Sequence, residues 1–406
     1  MFKPPVQSSR PLRIAVIGGR GIPSNYSGVE RICEDLFVWF AEHGHKVTVY
    51  CRPSVLKEPA ALYKGVRLVR TPSPGGRNGE TLSHSLFSLM HATLRGDVFD
   101  DGAPFDLYSM HTIAPNLFIP VAAITGTPVV SHVHGLDHQR EKWKGLGSRV
   151  IRLAEEIMVK FAHKVAVVNP SIQRYYRDEF GVNTDLLPNG VHITPDGGGD
   201  PALLAPLGLE PEKYFVSVGR LVPEKRLQDT IAAFAKVKTD FKLAIVGNAA
   251  NTPEYLAELK KIAAGDPRVV FTGQQSGSTL ESLFRGAYAY VSASDLEGHP
   301  MSVLECMERG TCAILTDIDG HKPLFEPVPG YDFSFEPYDI RKLTKLMQRA
   351  IDDPDHTEQL ARAGQRHVRD TYGWPLLALQ TERLYQEIIH GDAHHSMLSR
   401  AALGTA

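Results

Sequence analysis

Two stretches of this chain open in the same order. Arg13-Ile-Ala-Val-Ile17 is a near-continuous apolar run followed at once by glycines, and Tyr214-Phe-Val-Ser-Val218 is another, followed by Gly219. Such runs read as strands buried on both faces, the habit of parallel sheets covered by helices. After the first run come a glycine-rich loop, Gly18 to Gly28, and a segment with Val29, Ile32, Cys33, Leu36, Val38, Trp39 and Phe40 at helical spacing that stops at Gly44. A second strand follows at Lys46 to Tyr50. After the second run come the turn Gly219-Arg220, a helical stretch over 226–238 and a strand from Lys242 to Val246. Strand, loop, helix, strand is a crossover unit whose ligand crevice lies at the carboxyl end of the strands. Two such openings predict two α/β domains.

The chain is long enough for both. Its 406 residues are 43% hydrophobic and 22% charged, which supports two separate cores. A net charge of -2 gives no bulk reason to expect nucleic acid as a partner. The four cysteines, Cys33, Cys51, Cys306 and Cys312, lack metal-ligand spacing, so reduced thiols and a cytoplasmic location are the default expectation. MFKPPVQSSRPL has no apolar signal core, and the longest apolar stretch, Phe118 to Val130, is broken by Pro120, Gly126 and Pro128, so neither a secretion signal nor a membrane span is expected.

The richest motif is Ser292 to Gly310, SASDLEGHPMSVLECMERG. It follows the apolar run 287–291 and turns into a helix opened by Pro300 and closed by Gly310. The N–H groups of a first helical turn, about His299 to Ser302, form an anion site at the positive end of the helix dipole. Glu297 lies before that turn and Glu305 eight positions later, so each can face a different part of one ligand. Taken alone, the two could equally be a helix-start acid and a surface residue. The whole string, however, resembles the E-x7-E signature of retaining glycosyltransferases of the GT-B fold, in their large family 4.

Other segments carry the same resemblance. The loop GGRGIPSNYSG resembles the opening of a bacterial subgroup that includes rhamnosyltransferases, with Ser27 in place of a glycine and with Gly28 and Glu30 retained. A dinucleotide fingerprint fits less well: Gly19-x-Gly21-x-x-Ser24 is a near miss, and Cys51-Arg52 stands where a ribose-binding acid would be. GRLVPEKR resembles the family's diphosphate-binding string at Gly219, Arg220, Lys225 and Arg226, and LLPNGV, ending at Val191, the close of its first domain. Phe271 to Gln275 resembles the nucleobase-holding strand and loop, and Tyr372-Gly-Trp374 the aromatic element before the last helix. VSHVHGLDHQREKWKG resembles a subgroup run in which His134 replaces an acid and His138 a tryptophan.

Three histidines, His111, His132 and His134, are placed at the ends of two neighbouring strands, but no further ligand is spaced to complete a zinc site. His84 and His91, on a helix expected over Leu82 to Leu94 after a loop through Gly79, read as surface or groove residues. The segment from Leu146 to His163 reads as an amphipathic helix packed on the sheet, with a cationic face on an anionic bilayer as the sharper alternative. Asp317-Ile-Asp319 spells D-x-D but reads as a loop.

The resemblance implies two Rossmann-like domains facing across a cleft. They are an acceptor-side domain over 1–194 and a nucleotide-sugar domain over 195–374, with a helix at 375–390 crossing back and a tail from Gly391. It further implies hexosyl transfer from a nucleoside diphosphate sugar to a saccharide or lipid-linked acceptor, without a metal or other cofactor, in the cytoplasm or at the inner face of the membrane. On that basis Glu297 and His134 contact the hexose, Arg220 and Lys225 hold the diphosphate, Glu305 the ribose, and Gly28, Gly219, His299, Met301 and Ser302 line the donor site. A nucleotide-sugar epimerase and a non-catalytic subunit of the same shape are the alternatives, opposed by the E-x7-E pair and by the intact set Glu297, Glu305, Arg220 and Lys225.

Overall fold

A computed structural model describes residues 10–23, 28–122, 124–136, 146–197, 199–249 and 252–390. Ser27, His138 and the tail from Gly391 lie outside the described residues. The chain divides into two compact units, Met1–Asn189 with Trp374–Ala406, and Gly190–Gly373. The division falls at Gly190 rather than at 195 because the intervening residues are tied to the second unit. The Val191 N–H donates to the Tyr372 carbonyl at 2.8 Å, and Thr194 donates its N–H and hydroxyl to the fully buried Glu308, each at 2.9 Å.

The first unit is built on an eight-stranded sheet. Its strands are β1 (Arg13–Ile17), β2 (Lys46–Cys51), β3 (Ala60–Tyr63), β4 (Val66–Arg70), β5 (Leu107–His111), β6 (Val129–Val133), β7 (Lys164–Val167) and β8 (Asp185–Leu186). Their spatial order is β3-β4-β2-β1-β5-β6-β7-β8, parallel throughout except for the edge strand β3. The apolar runs seen in the sequence are its centre: all five residues of β5 and of β6 are buried. The last helix, Trp374–His390, belongs to this unit, packs on the helix Gly28–Glu42, and donates the Trp374 indole N–H to Asp35 at 3.2 Å.

The second unit carries a six-stranded, wholly parallel sheet. Its strands are β9 (Tyr214–Val218), β10 (Lys242–Val246), β11 (Val269–Gly273), β12 (Ala289–Ser292), β13 (Cys312–Thr316) and β14 (Ser334–Phe335), ordered β11-β10-β9-β12-β13-β14. In each sheet the chain starts in the middle and then switches sides. The switch points are β1/β5 and β9/β12, and at such points the connections diverge and leave a crevice beyond the carboxyl ends.

Two helices and one histidine differ from what the amino-acid sequence implies. The helix after the Pro72 loop begins at Gly76 and runs to Arg95, because Gly75 and Gly76 both take positive φ and start the helix in place of a longer loop. His84 on that helix is fully buried, not a surface residue, and burial lowers its pKa to about 4. The helix after Lys225 is shorter than the periodicity implies, Leu227–Phe234. The helix Leu146–Phe161 packs Ile151, Ala154 and Met158 into the core, and its Glu155, fully buried, accepts from the Tyr176 hydroxyl at 3.1 Å. Arg152 on its flank is occupied by Tyr175 at 2.8 Å and Glu179 at 3.2 Å. No helix among the described residues is long and apolar enough to cross a membrane.

Two glycines hold the crevice ends together. A Cβ on Gly18 would lie 2.2 Å from the His111 carbonyl oxygen, and one on Gly247 would lie 1.8 Å from that of Gly219. Gly247→Ala must push the ends of β9 and β10 apart. It is expected to cost on the order of 2–4 kcal/mol, read as a lower melting temperature of the second unit by scanning calorimetry; a melting curve superposable on the parent's would show that the strand ends accommodate the methyl group.

Candidate active site

The β9/β12 switch point gathers most of the charged groups that the sequence singles out. β9 ends at Val218 and passes through Gly219 to the exposed Arg220. A short 3-10 turn, Pro223–Lys225, then brings Lys225 back beneath Gly219, where a Cβ would sit 3.2 Å from the Lys225 Cε. β12 ends at Ser292 and leads into the loop that carries Glu297. The Lys225 Nζ donates to the Glu297 Oε1 at 2.6 Å, with side-chain exposures of 21% and 13%. These two residues, expected to serve different ends of one ligand, are in contact with each other.

Glu297 is held from every side. The buried Ser294 hydroxyl donates to the same Oε1 at 2.8 Å. Behind it, Ser292 lies 3.1 Å from Ser294 and 3.4 Å from the Nε2 of His321, which is fully buried. His321 Nδ1 is 3.0 Å from the Thr316 carbonyl, and the Thr316 hydroxyl donates to the Ser294 carbonyl at 2.6 Å. Gly320 closes the wall, since a Cβ there would be 2.7 Å from that of Glu297. Burial alone would raise the Glu297 pKa; the charge of Lys225, above all, and the hydrogen bonds from Lys225 and Ser294 outweigh it and hold the carboxyl below its ordinary value. Burial keeps His321 neutral at physiological pH by lowering its pKa to about 4.

Gly320 and His321 follow Asp317-Ile-Asp319. The D-x-D loop thus contributes its successors to the site while Asp317 pairs with Lys322 at 3.4 Å. No motif points to Gly320 or His321; the signal available is a glycine and a histidine in the loop after the buried strand β13.

The helix Met301–Glu308 has Pro300 as its N-cap, so it begins two residues later than the first-turn span read from the sequence. Its ladder begins with the Leu304 N–H donating to the Pro300 carbonyl at 3.2 Å, so the amides of Met301, Ser302 and Val303 precede the first intrahelical bond. The Ser302 hydroxyl lies 2.9 Å from that of Tyr290, which donates to the Val218 carbonyl at 3.0 Å and ties the helix to the end of β9. Glu305 is 9% exposed. His299 lies in the loop before the helix with its ring 4.9 Å from that of Tyr372, and burial lowers its pKa to about 3, which leaves it neutral at physiological pH. Arg226 is bidentate to Asp229 and lies over the Tyr338 ring at 4.6 Å, which takes it out of the cationic set.

The β1/β5 switch point, in the other unit, carries the glycine loop and the histidines. Gly28 begins the helix Gly28–Glu42, and Glu30 on its first turn is buried and accepts the Arg20 N–H at 3.1 Å. His111, His132 and His134 are brought together. The rings of His111 and His132 stack at 4.6 Å, and His111 Nδ1 lies 3.1 Å from His134 Nε2. Among the described residues no group of three or more His, Cys, Asp or Glu is arranged to hold a metal ion.

Comparison with known proteins places this geometry. Residues 26–194 match the family model described as Glycosyltransferase Family 4, and residues 203–367 the one described as Glycosyl transferases group 1. Alpha-maltose-1-phosphate synthase of Mycobacterium tuberculosis is 26% identical over 295 residues, 66% of this chain and 75% of that protein. Alpha-D-kanosaminyltransferase of Streptomyces kanamyceticus is 22% identical over 394 residues, 92% of this chain and 97% of that protein. Among solved structures, sucrose-phosphate synthase from Thermosynechococcus elongatus superposes with a TM-score of 0.78 at 19% identity, covering 94% of this chain and 100% of that one. Anabaena HepE in complex with UDP and glucose does so with a TM-score of 0.74 at 18% identity, covering 93% and 100%.

The Lys225–Glu297 contact has a measurable signature. In the parent protein a depressed Glu297 contributes stability above the unfolded carboxyl pKa of about 4.3 and loses it only in stronger acid. Without Lys225, burial dominates and the sign reverses: Glu297 titrates above its unfolded value, and stability is lost as pH rises through that point. Lys225→Ala is therefore expected to gain melting temperature relative to the parent on going from pH 7 to pH 5. Adding Glu297→Gln should remove the gain, and a gain that persists in the double variant would assign it to another group.

Proposed function

The chain belongs to the group 1 and family 4 glycosyltransferases of the GT-B fold, and from that premise we propose that it is a retaining hexosyltransferase. Its donor is a nucleoside diphosphate sugar, and its acceptor a glycan, in this reading a lipid-linked precursor of a bacterial surface polysaccharide built at the inner face of the membrane. The observation that carries the reading is the Lys225–Glu297 pair at the β9/β12 switch point, beside the Gly219-Arg220 turn and the leading amides of the helix Met301–Glu308. Anabaena HepE, which shares the fold, binds UDP and glucose, and this supports a nucleotide-sugar donor here. The loop GGRGIPSNYSG and the run around His134 favour the rhamnosyltransferase-like subgroup.

In the proposed reaction the acceptor hydroxyl attacks the anomeric carbon on the face that the diphosphate leaves. The new C–O bond forms as the bond from the anomeric carbon to the β-phosphate oxygen breaks, and the hydroxyl proton passes to the departing phosphate. Charge concentrates on that phosphate in the transition state, so cations aimed at it lower the barrier more than they tighten substrate binding. Arg220, Lys225 and the amides of Met301 and Ser302 take this role, with no metal required. Lys225 turns from Glu297 towards the diphosphate, and Glu297, fixed by Ser294 and Gly320, then accepts from a sugar hydroxyl. Glu305 holds the ribose, Gly28 and Gly219 allow close backbone approach, and His134 contacts the hexose.

Thermal melting with UDP, GDP, dTDP and ADP and their sugar conjugates, with and without EDTA, tests the donor class and the metal together. A ligand at a hundred times its dissociation constant adds about 2.7 kcal/mol. One base is expected to stabilise regardless of EDTA; stabilisation by none, or only with a divalent cation, would refute the reading. Lys225→Ala should lower turnover by on the order of a hundredfold with the fold intact, and parent-like rates in the folded variant would remove the diphosphate assignment.

A further inference from the structure

Behind His134 runs a hydrogen-bonded chain that the transfer reaction leaves unused. His134 Nε2 meets His111 Nδ1 at 3.1 Å, and His111 Nε2 meets the Ser109 hydroxyl at 3.0 Å. Ser109 meets the Tyr385 hydroxyl at 2.7 Å, and Tyr385 meets His132 Nε2 at 2.9 Å. Ser109, His111 and Tyr385 are fully buried and His132 is 6% exposed, so water does not substitute for a missing partner. Four of the five groups come from the ends of β5 and β6, and the fifth from the helix Trp374–His390 in the same unit.

The hydrogens in this chain can be counted. Burial, with the neighbouring histidines, holds His111 well below its ordinary pKa and lowers His132 to about 3, so each carries one N–H at neutral pH. His111, Ser109 and Tyr385 therefore each supply one hydrogen to one of their two neighbours. The four contacts need four hydrogens, and the fourth must come from one end. With one N–H on His134 as well, only two arrangements fill every contact. In one, His134 and His111 carry hydrogen on Nε2 and His132 on Nδ1. In the other, His134 and His111 carry it on Nδ1 and His132 on Nε2. Any other combination leaves a buried contact empty or places two hydrogens in it, which costs the desolvation of a buried polar group.

We propose that Tyr385 and Ser109 are positioning residues that couple, through His111, the tautomer of His134 to that of His132, so that His134 keeps a defined donor and acceptor while the chain is intact. Which nitrogen of an imidazole is protonated is set by the hydrogen bond that its other nitrogen makes. Here that bond is the end of a relay reaching the C-terminal helix. A change of His134 from one tautomer to the other therefore requires every hydrogen along the chain to reverse. The change is transmitted to His132. The catalytic part of this inference rests on the hexose-contact reading of His134; the tautomer coupling does not.

Imidazole nitrogen NMR of the full-length protein, with each signal assigned by a single His→Gln variant, reads the three tautomers directly. One of the two joint sets is expected in the parent, and any other combination overturns the relay. Tyr385→Phe removes two contacts and should let His132 adopt a tautomer independent of His111, while Ser109→Ala breaks the chain one step earlier and serves if the first variant does not fold. Either folded variant is expected to lose between about 10- and 100-fold in kcat/KM for the sugar nucleotide. Unchanged kcat/KM in a folded variant overturns the positioning role. Absence of turnover with every sugar nucleotide in the parent defeats the transferase reading instead, with the tautomer set still readable.

Discussion

A carboxylate with little access to water at the end of a parallel strand must be matched by charge and hydrogen bonds, and the contact between Lys225 and Glu297 meets that requirement in the second unit. Much of the local architecture follows from it. Gly219 lies close against Lys225, Gly320 has no side chain because Glu297 lies against it, and Ser294 supplies the second hydrogen bond. The turn that returns Lys225 is braced by the Asp295 N–H donating to the Glu224 carbonyl at 3.1 Å, which joins the two loops of the switch point. The pair thus holds a cation and an anion together at the crevice beyond the switch point.

The centre of each sheet is legible in the amino-acid sequence. Residues buried on both faces leave unbroken apolar runs, and the glycines at positions 18, 219 and 247 mark the ends of those runs. Gly18 is demanded by the protein itself, since the His111 carbonyl fills the space of a side chain. The edge hairpin of β3 and β4 leaves a much weaker trace because Ala60–Tyr63 is half exposed, with a burial pattern that alternates and a short, weakly apolar sequence. The start of the helix Gly76–Arg95 is hidden because glycines usually stop helices rather than begin them.

The site is legible in its members but not in its pairings. Glu297, Lys225 and Arg220 stand out by motif, yet nothing in linear spacing says that a residue from the β9 loop meets one from the β12 loop 72 positions later. That contact is a product of strand order, since β9 and β12 are neighbours only because the chain switches sides between them. The same holds for His321, whose strand β13 is the next one along, and for Tyr385, which reaches Ser109 across 276 positions. Side chains brought together by sheet order leave no periodicity behind, and this is why the polar network around each motif emerges only from the fold.

The two switch points differ in their chemistry. At β9/β12 the crevice is lined by ions and by the positive end of a helix, groups whose attraction for a phosphate is large where water is scarce. At β1/β5 the corresponding groups behind His134 are held neutral by burial: two histidines well below their ordinary pKa and a tyrosine pushed above its own. A neutral imidazole offers one donor and one acceptor, which matches a hydroxyl and gives a phosphate little. Burial is the common cause. Where a counter-ion is supplied, as for Glu297, it leaves charge in place, and where none is supplied, as for His111 and His132, it removes the charge and leaves direction, the order of donors and acceptors along a chain, as the property that remains.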